Sequence, residues 1–331
     1  MKIESKLILA SKNAVTGVNL YTFVLTYPRM ILAEVNTHRM FSRNAASSRA
    51  IPAKKQRKQV LEDPFVPVYV GQNQRGMQAG QELTGWKRFV VEHTWLLARY
   101  PAVFASWILE KQGAHKQAAN RIVEPWTFTQ QILTCTDLKN FFKLRNHVDA
   151  EPHFQIIARQ MQAQVEFAET WFEVLSWNGN TVYERSLEIK SGNVGTIQVL
   201  KPGEWHLPFV TEADREAVFA DCKKEQEEYE IAVGDVSKAI QLRDPWESLK
   251  KISTARCARV SYYLPESGLR SDLVRDMDLC TRLSSSGHWS PFEHVATPVE
   301  TKDYIGNFRS WRQYRKEFEQ EDGGDRENSV L

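Results

Sequence analysis

From Thr37 to Arg49 the chain reads Thr-His-Arg-Met-Phe-Ser-Arg-Asn-Ala-Ala-Ser-Ser-Arg. Three arginines, a histidine, an asparagine and several hydroxyls fall in one short stretch, with few acids close by to neutralise them. Guanidinium forks and hydroxyls are natural ligands for phosphate, so the stretch is a candidate anion clamp. The competing reading is a solvated loop with scattered charge. A second concentration is Gly287-His288-Trp289-Ser290-Pro291-Phe292-Glu293-His294. Ser290, Pro291 and Glu293 fit a helix start, as N-cap, N1 and N3 of a capping box, and helix N-termini attract phosphates. That explains three residues and leaves His288 and His294 over. A zinc site from His288, Glu293 and His294 is disfavoured, because adjacent helical positions diverge and no further strong ligand is suitably spaced. No metal is expected.

The common nucleotide signatures are absent. No G-x-G-x-x-G follows a strand. Gly71 and Gly76 have the spacing of a phosphate loop, but Met77 and Gln78 stand where it needs Lys and Ser/Thr. Cys135, Cys222, Cys257 and Cys280 are far apart with no C-x-x-C pair, which fits reduced thiols in a cytoplasmic protein. The N-terminus has an early glutamate and only a short apolar run, Leu7 to Ala10, unlike a signal peptide, and no apolar run is long enough to span a bilayer.

These residues must be positioned by a chain of 331 residues, 42% hydrophobic and 25% charged, with 43 basic and 41 acidic side chains. The near balance argues against a protein that coats nucleic acid, while leaving room for a local anion site. Val18 to Tyr27 reads as a strand, Met30 to Thr37 as a short helix and Arg39 to Arg49 as an irregular loop. Lys54 to Lys58 reads as a solvated basic face, residues 71–80 as a loop, and Glu82 to Arg99 and Pro101 to Lys111 as two helical stretches. Thr127 to Thr134 reads as a strand, Leu138, Phe141 and Phe142 mark an amphipathic helix, and Phe154 to Trp177 is a long one. Glycines at 179, 192, 195 and 203 punctuate β-type runs, suggesting a hairpin-like insertion over 178–210. Glu212 to Leu242 reads as a charged helical connector, Arg256 to Tyr263 as a strand, and Asp272 to Ser285 as a helix. The acidic stretch from Glu317 onward reads as disordered.

The two chemical segments together resemble the flavin-dependent thymidylate synthase family. His38-Arg39, seven residues and then Ser47 match its Arg-His-Arg motif, and Gly287, His288, Ser290, Glu293 and His294 match its Gly-His block. Arg121 to Pro125 is similar to its Arg-x-x-Leu-Pro, Asn140 to Arg145 to its Asn-Phe-x-x-x-Arg helix, and Ala258 to Tyr262 to its early strand. The order is rearranged: the early strand and Gly-His block follow the Arg-His-Arg segment by more than two hundred residues. A circular permutation accounts for this. It implies one permuted catalytic domain over residues 1–316, with 178–242 as insertion or connector and 317–331 as a tail. The implied fold is α/β (α+β), a mixed sheet with long helices.

The resemblance implies transfer of a methylene group from methylenetetrahydrofolate to C5 of dUMP, with reduction by FAD that NADPH has reduced, giving dTMP. Arg39, Ser47 and Arg145 would be catalytic. Ser47, Arg49, Arg121 and Arg145 would bind the pyrimidine nucleotide. His38, Arg39, Asn140, Ser261, His288, Ser290 and Glu293 would contact the flavin. It also implies a homotetramer, with no membrane and no nucleic-acid partner. Thr37 stands for the first Arg of the motif and Ala45 for an acid, so Arg309, Arg312, Arg315 and Lys316 are candidate replacement charges. Two alternatives stay open: a flavoenzyme of the same fold acting on another pyrimidine nucleotide, and an inactive nucleotide- or nucleic-acid-binding relative.

Overall fold

The computed structural model describes residues 3–177, 194–233, 243–262 and 272–318. Its centre is a five-stranded mixed sheet in the order β3-β4-β2-β1-β5. Strands β1 (Glu4–Asn13) and β2 (Asn19–Pro28) form an antiparallel hairpin. Asn13 Oδ1 closes its turn by accepting from the Val15 and Thr16 amides at 2.9 and 3.1 Å. β3 (Ser42–Ala45) and β4 (Phe128–Cys135) extend the antiparallel side, and β5 (Val194–Leu200) pairs parallel with β1.

The helices are α1 (Leu32–Val35), α2 (Ala53–Glu62), α3 (Gly85–Lys111), α4 (Lys116–Ala119), α5 (Lys139–Arg145), α6 (Pro152–Trp177), α7 (Glu212–Val233), α8 (Pro245–Arg259) and α9 (Leu273–Ser285). Alternation along β2 sends Tyr21, Phe23, Leu25 and Tyr27 to one face, where α6 covers them with Phe154, Ile157, Met161, Val165 and Phe172. A second core joins α7, α8 and α9 to Phe292, Val295 and Tyr314. Arg256 on α8, 1% exposed, grips Asp214 of α7 through both guanidinium ends at 2.6 and 2.9 Å and Asp276 of α9 at 2.9 Å. Arg259 meets the same Asp276 at 2.7 Å. The ion pair with Arg256 holds Asp214 down to about 2 against the opposing effect of burial.

The architecture is mixed α/β, with long helices on a mixed sheet. Several local expectations are corrected. Residues 256–262 are helix, not strand: Asp244 caps Trp246 and Glu247 at 3.0 and 3.3 Å, Pro245 follows it, and the start signal outweighs the β-branched texture downstream. Residues 194–200 are no hairpin insertion but an edge strand of the main sheet; residues 178–193 lie outside the described set, as do 234–242 of the expected connector. The two helical stretches flanking Pro101 are one helix, since burial of Trp95, Ala102 and Val103 against Val60, Val123 and Trp126 offsets one lost backbone bond. The loop at 39–49 contains β3, the helix after Pro28 is only a 3-10 turn plus α1, and Arg57 in the basic run is buried against Glu110. Glu317 is ordered at the end of a 3-10 turn and meets Lys250 at 2.9 Å; the rest of the tail, 319–331, lies outside the described residues.

Candidate functional site

The site is built on β3 and the strap that continues it to Ile51. β3 is an edge strand of small and polar residues, so its open flank can take partners from elsewhere in the chain. Asn120 Nδ2 donates to the carbonyls of Ser48 and Ile51 at 2.7 and 2.9 Å. Arg29 donates to the Ala46 carbonyl and to Glu124 Oε1, both at 2.9 Å. Arg121 reaches the other oxygen of Glu124 at 3.3 Å. Arg121 therefore stands beside the strap that carries Ser47 and Arg49.

The far end of the sequence closes on the same strap. Ser261 Oγ donates to Asn44 Oδ1 at 2.9 Å, Asn44 Nδ2 donates to the Cys257 carbonyl at 3.0 Å, and the Ser47 amide donates to the Ser261 carbonyl at 3.0 Å. Gln313 Nε2 bridges Ser42 Oγ at 2.8 Å and the Glu293 carbonyl at 3.0 Å. Glu293 Oε1 accepts from Arg315 at 2.7 Å. Of the four candidate replacement charges, Arg315 reaches the Gly-His block. Gln313 and Arg43 join the site without a motif match of their own. Arg43 lay in plain view among the arginines, whereas Gln313 gave no signal, because its role exists only through β3 and the 3-10 turn at Ser290–His294.

That turn corrects a further expectation. Its N-cap is Trp289, with no side-chain cap bond, so Ser290 and Glu293 do not form a capping box. Glu293 is drawn off by Arg315. His288 is exposed and bonds Ser286 Oγ at 2.9 Å. Ser290 and Asn140 are also exposed, and among the described residues no hydrogen bond or ion pair joins the side chains of His288, Ser290 or Asn140 to β3.

His38 and Arg145 meet. Arg145 Nε donates to His38 Nε2 at 2.9 Å, and its guanidinium lies over the Phe154 ring at 4.7 Å. The imidazole sits among Phe41, Phe141 and Phe154, with ring centroids 5.1 to 5.6 Å away. Burial, then the charges of Arg145 and Arg43, pull its pKa down to about 4. His38 is thus a neutral acceptor that aims Arg145. Arg43 donates to the Asn36 carbonyl at 2.5 Å. Among the described residues no carboxylate lies within ion-pair distance of Arg39, Arg43, Arg49 or Arg145, so their charge is available to an anion. Thr37 spends its hydroxyl on the Glu34 carbonyl at 2.6 Å.

Behind the site, on the sheet face opposite α6, runs a buried polar chain. Gln198 Nε2 donates to Ser11 Oγ at 2.8 Å, and Ser11 meets His206 Nδ1 at 2.7 Å. His206 Nε2 meets Thr22, Thr22 meets Thr134, and Thr134 meets His294 Nδ1, at 2.7, 2.7 and 2.8 Å. Burial pulls both histidines to about 3, so both are neutral. The four cysteines are free and buried, and burial pushes the Cys280 thiol up to about 12, unsuited to nucleophilic work. No helix among the described residues is long and apolar enough to cross a membrane.

No family model matches the chain, and no curated protein matches it. Among solved structures, the UMP/dUMP methylase PolB from Streptomyces cacaoi bound with 5-Br UMP is similar in part. That likeness has 16% identity and a TM-score of 0.41, over 51% of this chain and 89% of the other. The same methylase bound with 5-Br dUMP gives 19% identity and a TM-score of 0.36, over 48% and 70%.

Proposed function

We propose that this chain is a flavin-dependent thymidylate synthase-like enzyme, transferring a methylene group from methylenetetrahydrofolate to C5 of dUMP to give dTMP. One observation carries the reading. Motif segments scattered from residue 38 to residue 293 pair with one another, three of them through β3 or its strap. His38 meets Arg145, Asn44 and Ser47 meet Ser261, Gln313 ties Glu293 to β3, and Arg121 shares Glu124 with Arg29. A solvated loop of scattered charge would not draw partners from both ends of the chain.

The residues present fit a flavin dinucleotide and a nucleotide phosphate, since four arginines near the strap are not spent on internal carboxylates. FAD, when bound and reduced by NADPH, would supply the hydride that completes the methyl group. Arg39, Ser261 and Glu293 would hold it, together with His38, Asn140, His288 and Ser290. Ser47, Arg49, Arg121 and Arg145 would hold the pyrimidine nucleotide, with Arg39, Ser47 and Arg145 nearest the reacting ring. Arg145, aimed by a neutral imidazole and packed on Phe154, presents its remaining N–H donors in a fixed direction. That is the preorganised charge that phosphate or a developing ring anion requires. Ser47 has its amide bound to Ser261, which fixes the hydroxyl at the turn of the strap. Catalysis would proceed in the cytoplasm, on a homotetramer.

A second reading is favoured by one specific feature. Thr37 is committed to a local turn and Ala45 carries no acid, so the donor set around the base differs from the family's. The substrate would then be another pyrimidine nucleotide. Purified protein should be yellow, or become so with FAD, and should bleach with NADPH. A colourless protein that cannot be reconstituted contradicts both readings and leaves a binding protein. Comparing dUMP, UMP and dCMP as substrates separates the two.

A further inference from the structure

Helix α3 runs for 27 residues, Gly85 to Lys111, about 40 Å at the usual rise. Its inner face packs Trp95, Ala102 and Val103 into a small core with Val60, Val123 and Trp126. Its outer face is apolar as well. Trp86, Val90, His93 and Leu97 lie on it, followed by Tyr100, Phe104 and Trp107, in alternating steps of four and three. That is the seam spacing of helices that pack against helices. Trp86 is 74% exposed, Leu97 64% and Phe104 59%. The aromatics form ranks along the face: Trp86 stacks on Phe89 and Phe104 on Trp107. An exposed apolar patch of this extent marks an interaction site.

We infer that this face is where two copies of the chain pair, α3 against α3 and antiparallel. Area and spacing both argue for a second copy as the occupant. Six half-exposed side chains leave on the order of 100 Å² each, so two copies would bury roughly 1,200 Å², the lower range of stable interfaces. A two-fold axis between Ala98 and Arg99 matches every seam residue with one of complementary size: Leu97 with Tyr100, His93 with Phe104, Val90 with Trp107. The same axis sets Trp86 level with Lys111 of the second copy, an indole beside a cation. A parallel pairing would instead stack His93 on His93 and Lys111 on Lys111, and would align the helix dipoles unfavourably. The pairing does not depend on which reaction the chain carries out.

Light scattering on the full chain tests it. The wild type should have at least twice the mass of one 38.2 kDa chain. Leu97→Glu/Phe104→Glu should lower that mass at least two-fold with an unchanged far-ultraviolet circular dichroism spectrum. A wild type at single-chain mass, or a folded double variant of wild-type mass, overturns the pairing. Disulfide trapping reads the direction and uses milder changes. Trp86→Cys/Lys111→Cys should oxidise to a covalent dimer, while Trp86→Cys alone should not, and the four native cysteines are buried. Efficient cross-linking of Trp86→Cys alone, or none in the pair, overturns the antiparallel arrangement.

Discussion

His38 shows how much one side chain's surroundings decide its role. Half-buried in a phenylalanine box and facing Arg145, it stays neutral and accepts. Its work is therefore to hold a guanidinium, which a phenyl ring of similar size cannot do. Arg145→Ala should weaken nucleotide binding by roughly 1.5–3 kcal/mol, the worth of hydrogen bonds to a charged group. His38→Phe should cost a smaller part of that and add nothing once Arg145 is gone, which titration calorimetry on the double-mutant cycle reads directly. Full additivity would mean that the two side chains act apart. His206 and His294 titrate on a different footing. Their folded values near 3 lie below the ordinary 6.5, so the unfolded chain takes up protons between those limits and the folded chain does not. Their contribution is complete above that window and is lost on acidification, at up to roughly 1.4 kcal/mol per pH unit for each histidine. Urea midpoints should fall from neutral pH into mild acid, and less steeply in His206→Asn; equal slopes would remove the buried chain from the account.

At the scale of elements, two links tie the later part of the chain together and to the sheet. One is the cluster of Arg256 and Arg259 with Asp214 and Asp276. Asp276→Ala should destabilise the chain by about 3–5 kcal/mol, because two arginines lose the carboxylate they share in a closed interior; denaturant unfolding checks it. The other is the parallel β1–β5 pair. A Cβ on Gly195 would lie 2.2 Å from the Ile8 carbonyl oxygen, so Gly195→Ala should lower the melting temperature where a neutral result would contradict this register. These elements also show what was legible beforehand. The alternation of β2, the run of β4 and the period of α6 are local patterns, and they appear within two residues of the expected bounds. The strand expected at Arg256 failed because Arg256 is buried by partners on two other helices, which no window of sequence contains. β5 reads locally as an insertion because its parallel pairing with β1 is set by residues nearly two hundred positions away. The individual site residues stood in the motifs; Gln313 and the Arg315–Glu293 pair needed the fold.

The whole molecule joins sequence-distant blocks around one strap of unspent arginines, with a polar chain behind it and an aromatic helix face turned outward. Its central claim is that these blocks form one flavin-dependent site that acts at C5 of a pyrimidine nucleotide. The most direct measurement is release of tritium from 5-tritiated dUMP by the full chain supplied with FAD, NADPH and methylenetetrahydrofolate. The account predicts release that requires the flavin and collapses in Arg145→Ala, with less or none from 5-tritiated dCMP. A flavin-loaded protein that releases no tritium from any pyrimidine nucleotide would contradict it.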